Sequence, residues 1–133
     1  AARLGVPRPK LLGVTVLTSL DRSDLDATGV NADPSDQVLR LAALARESGL
    51  DGVICSPLEI SALRKQCGPD FVLMVPGIRP VGSAANDQKR AMTPRQAVNL
   101  GATNLVVGRP IYQAADPRAA AEAIAREAGV NDL

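Results

Sequence analysis

Four short apolar runs divide this chain, at residues 11–17, 52–55, 71–75 and 104–107. None alternates polar with apolar positions, so a sheet solvated on one face does not fit. The runs read as parallel strands covered on both faces. Between them, Asp33-Pro34, Ser56-Pro57, Thr93-Pro94 and Asp116-Pro117 each place a capping oxygen ahead of a proline at the first helical position. Gly49, Gly68, Gly101 and Gly129 stand where those helices should stop. The order is therefore β-α repeated four times, with right-handed crossovers between parallel strands.

Helical faces agree with this division. Val38, Leu39, Leu41, Ala42, Leu44 and Ala45 form an apolar stripe, with Arg40, Arg46 and Glu47 turned outward. Residues 119–128 are alanine-rich, a composition that forms helix and packs closely. Residues 21–29 are expected to form a short extra helix after the first strand. Two architectures accommodate four βα units: a small open parallel sheet, or half of an eight-stranded barrel. An open sheet needs edge strands blunted by charge or proline. Here the first and last strands are as apolar as the middle ones, which favours closure against more chain. The reading is an α/β fold: residues 1–133 form one domain, the carboxyl-terminal half (strands 5–8) of a (β/α)8 TIM barrel. The opening Ala1-Ala2-Arg3, without an initiator methionine, suits a piece of a longer polypeptide.

Composition narrows the chemistry. Fifteen basic and fourteen acidic side chains leave a net charge of +1, which implies no general attraction to nucleic acid or membrane. Aromatic residues are 2% of the chain, too few for the stacking platforms of single-stranded nucleic-acid binders. No apolar run approaches the roughly 18–20 residues of a membrane span, and no signal-peptide pattern opens the chain. A cytoplasmic location is the expectation. Histidine is absent, which removes serine–histidine triads and histidine-ligated metals from this chain. Cys55 and Cys67 are too few for a zinc cage and too far apart for a C-x-x-C pair. They read as reduced thiols, Cys55 in the core and Cys67 near a helix end.

Two of the strands end in a glycine–arginine signal. The third continues as Val75-Pro76-Gly77-Ile78-Arg79-Pro80, and the fourth as Val107-Gly108-Arg109-Pro110. Barrel function sits at the carboxyl ends of strands, and phosphate sites commonly use the loops after strands seven and eight. Glycine lets backbone approach an anion, and arginine offers a planar fork for phosphate. A short helix expected over residues 111–114 would turn its free N–H groups toward the anion. A long loop over residues 80–92 suits a lid, and Gln88 within it can donate to a phosphate oxygen. Thr18 and Ser19 lie where the first strand ends and can read a polar ligand edge. Lys10 precedes a strand and Lys65 lies on a helix, so neither belongs at a catalytic rim. No proton donor or nucleophile stands out.

These residues together resemble a known family. Thr15-Val-Leu-Thr18-Ser19, Asp51-Gly-Val-Ile-Cys55-Ser56, Val75-Pro-Gly-Ile-Arg79-Pro80, Asp87-Gln88-Lys89-Arg90 and Val107-Gly108-Arg109-Pro110 are similar to segments of bacterial orotidine 5′-phosphate decarboxylases. The likeness runs from about residue 11 to 128 and covers only the carboxyl-terminal half of such an enzyme. It implies a (β/α)8 barrel, usually a homodimer, that converts orotidine monophosphate to uridine monophosphate and CO2 without a metal or organic cofactor. It also implies that Arg109 and Gly108 bind the 5′-phosphate, with Arg79 and Gln88 completing the grip. Thr18 would contact the pyrimidine edge, and Pro76, Gly77 and Ser19 would shape the rim. The family's catalytic D-x-K-x-x-D motif does not occur here. Asp87-Gln88-Lys89-Arg90-Ala91-Met92 lacks the second aspartate. The resemblance thus places the lysine–aspartate array in an amino-terminal half outside this chain. Two other readings stand beside it: a non-catalytic half-barrel that binds phosphorylated ligands, and another phosphate-binding barrel lyase or synthase.

Overall fold

The computed structural model describes residues 3, 5–81 and 92–130. Proline and glycine set the element boundaries. In order these are β1 (Leu12–Val14), α1 (Arg22–Ala27), α2 (Pro34–Glu47), β2 (Gly52–Ile54), α3 (Ile60–Cys67), β3 (Val72–Val75), α4 (Pro94–Asn99), β4 (Asn104–Leu105), α5 (Arg109–Tyr112) and α6 (Pro117–Ala128). Thr93 forms a capping box with Gln96, and Asp116 accepts from the Ala119 N–H at 3.0 Å. The extra helix after the first strand is α1, opened by a second capping box between Asp21 and Asp24.

Two expected caps differ in detail. Ser56 opens a 3-10 turn over Pro57–Glu59, and the α-helix proper begins only at Ile60. Asp33 precedes α2 without a side-chain cap, because its carboxylate instead takes Nη1 of Arg22 at 2.9 Å. The strands are also shorter than the apolar runs that contain them. Parallel pairing stops where each chain segment turns away toward its helix.

The sheet is wholly parallel, in the order β1-β2-β3-β4. Its register aligns Gly13 with Val53 and Val53 with Leu73, and the next row aligns Val14, Ile54, Met74 and Asn104. The first row faces the helices. A Cβ on Gly13 would meet Ala45 of α2 at 3.5 Å, and Val53 and Leu73 are fully buried with Val38, Leu63 and Ala97. The second row points the other way, and Val14 remains 60% exposed. Beyond the end of β4, Val106 is 44% exposed. The expectation of strands covered on both faces therefore holds on one face only within these residues. This is the arrangement of half a (β/α)8 barrel, in which the inner face is covered by strands across the barrel. No helix among the described residues is long and apolar enough to cross a membrane.

One side chain ties the amino-terminal ends of β3 and β4 together. Arg64 of α3 donates to the carbonyls of Gly68 at 2.9 Å, Phe71 at 2.5 Å and Gly101 at 2.8 Å, and to Thr103 Oγ1 at 2.7 Å. Thr103 Oγ1 in turn accepts from the Leu73 N–H at 3.0 Å. Charge-assisted bonds of this kind contribute about 1.5–3 kcal/mol each when shielded from water.

A second clasp lies at the start of β2. Both carboxylate oxygens of Asp51 receive Nη1 of Arg8 at 2.8 Å, and Oδ2 also accepts from the Leu11 N–H at 2.6 Å. The Arg8 hydrogen bond, followed by that of Leu11, holds the Asp51 carboxyl below the usual carboxylate range. A group with a depressed folded pKa stabilises the fold above its unfolded pKa of about 3.9. That contribution disappears as pH falls through the folded value. Chemical denaturation followed from neutral pH down through the carboxylate range should therefore show stability falling below about pH 4. Asp51→Asn should be less stable at neutral pH and lose less on acidification. An unchanged acid slope in Asp51→Asn would assign the pH dependence to other carboxylates.

Candidate functional site

Because β3 and β4 are parallel neighbours, with Val75 opposite Leu105, the loops leaving them emerge on the same edge of the sheet. After β3 the chain turns at Gly77, whose φ of +79° excludes most side chains. Ile78 then bridges to Met92. The Arg79 N–H reaches the Met92 carbonyl at 2.9 Å, and the Met92 N–H reaches the Gly77 carbonyl at 3.3 Å. The two ends of the long loop are thereby pinned beside the sheet. Gln88 and the rest of residues 82–91 lie outside the described residues.

Pinning also fixes Arg79. Its side chain is only 9% exposed, and its Nη1 donates to the Ile78 carbonyl at 2.8 Å. Its Nε is buried without a hydrogen-bond partner among the described residues. A buried, under-bonded guanidinium carries a desolvation cost. An anion in the adjoining space would remove that cost. The adjoining space is a cleft of about 280 Å³ lined by Pro76, Gly77, Arg79, Val106, Gly108, Arg109 and Tyr112. Its volume is near the lower end of the roughly 300–1,000 Å³ typical of small-molecule sites. Among the described residues, two guanidinium-bearing side chains and no carboxylate line it, a polarity that suits an anion.

The wall at Gly108 is bare. With φ of −111° the residue lies outside the left-handed region, and among the described residues a Cβ there would meet only Tyr112 Cε1, at 3.8 Å. Neither a turn nor a clash demands glycine here. Its effect is to leave the cleft open to close approach.

The short helix after β4 differs from expectation. It spans Arg109–Tyr112 rather than residues 111–114, because the turn closes directly on Gly108. The Ile111 and Tyr112 N–H groups already donate to the Gly108 carbonyl, at 2.8 and 3.2 Å, and Pro110 has no N–H. The helix end thus offers few donors, and anion binding rests chiefly on the arginines.

Thr18 and Ser19 do not line this cleft. They follow β1, on the same edge of the sheet but two strands from β3. Thr18 is 8% exposed, and its hydroxyl makes no hydrogen bond to another described residue. Tyr112 and Val106 are lining residues that the sequence reading missed. The signal for Tyr112 was its i,i+4 spacing from Gly108, which places its ring over the glycine once the helix starts at Arg109. Cys55 is buried and Cys67 half-buried, and neither is in a disulfide.

Comparison with known proteins places this geometry. A family model described as "Orotidine 5′-phosphate decarboxylase / HUMPS family" matches residues 1–124. An orotidine 5′-phosphate decarboxylase of Glaesserella parasuis is 56% identical over 120 residues, covering 90% of this chain and 52% of that protein. One from Moorella thermoacetica is 56% identical over 128 residues, covering 96% and 51%. Among solved structures, orotidine 5′-phosphate decarboxylase from Lactobacillus acidophilus superposes with a TM-score of 0.76 at 45% identity. It covers 93% of this chain and 51% of that one. The chain spans about half the length of the curated relatives it matches.

The bare wall generates a test. Gly108→Ala should shift folding stability by less than about 1 kcal/mol, since the site has room for a methyl group and a negative φ. It should weaken binding of a phosphate monoester by roughly tenfold, about 1.4 kcal/mol, by crowding the cleft. Titration calorimetry beside a denaturation curve separates the two effects. Full affinity in Gly108→Ala would show that ligand does not approach this wall.

Proposed function

Because the chain belongs to the orotidine 5′-phosphate decarboxylase / HUMPS family, we propose that it is the carboxyl-terminal half of an orotidine 5′-phosphate decarboxylase. On this reading it supplies strands five to eight of the barrel and the grip for the nucleotide. The complete enzyme converts orotidine monophosphate to uridine monophosphate and CO2 in the cytoplasm, as a homodimer of whole barrels. The observation that carries the reading is the buried Arg79, whose Nε has no hydrogen-bond partner among the described residues, in one cleft with Gly108 and Arg109.

In this proposal the 5′-phosphate sits between the Arg79 and Arg109 side chains, against the bare backbone of Gly108. Gln88 reaches the same phosphate from the loop whose ends are pinned at Arg79 and Met92. Pro76 and Gly77 form the rim beside the base, and Thr18, with Ser19 next to it, offers its hydroxyl to the pyrimidine edge. None of these groups touches the reacting carbon. Their contribution is binding energy from a remote part of the substrate, which drives closure and excludes water from the reacting end. Proton donation to the carbanion left by CO2, and destabilisation of the departing carboxylate, fall to a lysine–aspartate array in the amino-terminal half. The reaction thus needs both halves, and this chain contributes no catalytic residue.

Two measurements test the proposal. The 133-residue chain alone should leave orotidine monophosphate unchanged, and adding an amino-terminal half from a family member should restore turnover. Turnover by the chain alone would overturn the division of labour. In the complemented enzyme, Arg109→Ala should weaken uridine monophosphate by roughly a hundredfold, about 2.7 kcal/mol, and uridine hardly at all. Equal losses for nucleotide and nucleoside would refute a phosphate role for Arg109.

A further inference from the structure

The phosphate grip leaves one polar lining residue of the cleft unused. Tyr112 stands there with Arg79, Gly108 and Arg109, and it is 65% exposed. Its hydroxyl makes no hydrogen bond to another described residue. An exposed tyrosine by itself means only a wet surface. Two observations set this one apart.

The first is where the ring is held. Tyr112 closes the single turn of α5, and its N–H donates to the Gly108 carbonyl at 3.2 Å. Its Cε1 lies 3.8 Å from the point a Gly108 Cβ would occupy. Cε1 is bonded to the ring carbon that carries the hydroxyl. The phenol oxygen therefore lies close to the bare wall, at the solvent side of the cleft.

The second is a shortage of donors. The Ile111 and Tyr112 N–H groups are occupied by the Gly108 carbonyl, and Nη1 of Arg79 by the Ile78 carbonyl. Among the described lining residues, the Tyr112 hydroxyl is the one neutral side-chain donor. A phosphate monoester presents three strong acceptor oxygens. Arginine forks match a planar carboxylate as well as a phosphate. A third donor set apart from them rewards only the anion with a third oxygen. The nucleotide of the proposed reaction carries both anions, a phosphate at one end and a carboxylate at the reacting carbon. Two arginines alone would hold it either way round.

Resting on that reading, we propose that Tyr112 is a specificity-determining binding residue. Its hydroxyl donates to the third oxygen of the bound anion, so the cleft prefers a phosphate monoester to a carboxylate and orients the substrate.

Calorimetric titration of the 133-residue chain with ribose 5-phosphate, and with riburonate, which carries a carboxylate at C5 instead, tests this. Tyr112→Phe keeps the ring and removes a hydroxyl without a described partner, so circular dichroism should be unchanged. It should weaken ribose 5-phosphate by roughly fivefold and leave riburonate as it was. Tyr112 is the one tyrosine of a chain without tryptophan. Tyrosine emission of the unsubstituted chain thus reads this ring directly, and should change saturably with ribose 5-phosphate. Full affinity for ribose 5-phosphate in Tyr112→Phe, equal losses for both ligands, or unchanged emission at saturation would overturn the inference. Arg109→Ala separates that failure from failure of the grip. A loss there beside an unaffected Tyr112→Phe discards the role of Tyr112 alone. Full affinity in both variants, or no binding by the unsubstituted chain, discards the phosphate grip as well.

Discussion

The pairing of β3 with β4 is the constraint on which the site depends. Each strand by itself delivers a glycine–arginine loop of no fixed position. Held in parallel register, they bring Arg79 and Arg109 to one cleft. β4 is only two residues long, too little to hold that register alone. Arg64 compensates from beneath, joining the end of α3, the start of β3 and the residues before β4 through hydrogen bonds to backbone carbonyls and the Thr103 hydroxyl. The cleft at the top of the sheet thus depends on a cation at the bottom. Arg64 and Arg79 differ in kind: Arg64 is spent on carbonyls and the Thr103 hydroxyl, whereas the Arg79 Nε has no acceptor among the described residues.

That contrast gives the division between halves a physical basis. Binding a phosphate needs fixed cations and open backbone, which two adjacent loops can provide. Proton transfer at a distant carbon needs other groups, and no carboxylate among the described residues lines the cleft. The inner face has the same incompleteness. Val14 and Val106 are apolar and exposed because the strands that would cover them lie outside these residues. On the proposed reading, strands outside these residues would complete both the fold and the function.

Much of this was legible in the residues themselves. Proline after a capping side chain, and glycine at the far end, marked α2, α4 and α6 because both act locally on the backbone. Parallel strand order followed from the same punctuation. Covering of the strands did not, since apolarity says that a face wants burial and not which chain buries it. The reach of α5 was misjudged because Gly108 closes the turn two residues earlier than expected, which consumes the N–H groups assigned to the anion. Tyr112 entered the cleft by the same shift. The burial of Arg79 depends on the Ile78–Met92 bridge, a contact across thirteen residues that no local signal announces.

The central claim is that Arg79 and Arg109 hold one phosphate together. A double-mutant cycle on uridine monophosphate affinity in the complemented enzyme tests it most directly. Arg79→Ala, Arg109→Ala and the double variant are each compared with the unsubstituted protein. Two cations sharing one dianion should be coupled, so the double variant should lose less than the sum of the single losses, by about 1 kcal/mol or more. Strict additivity would contradict the account, placing the two arginines in separate sites.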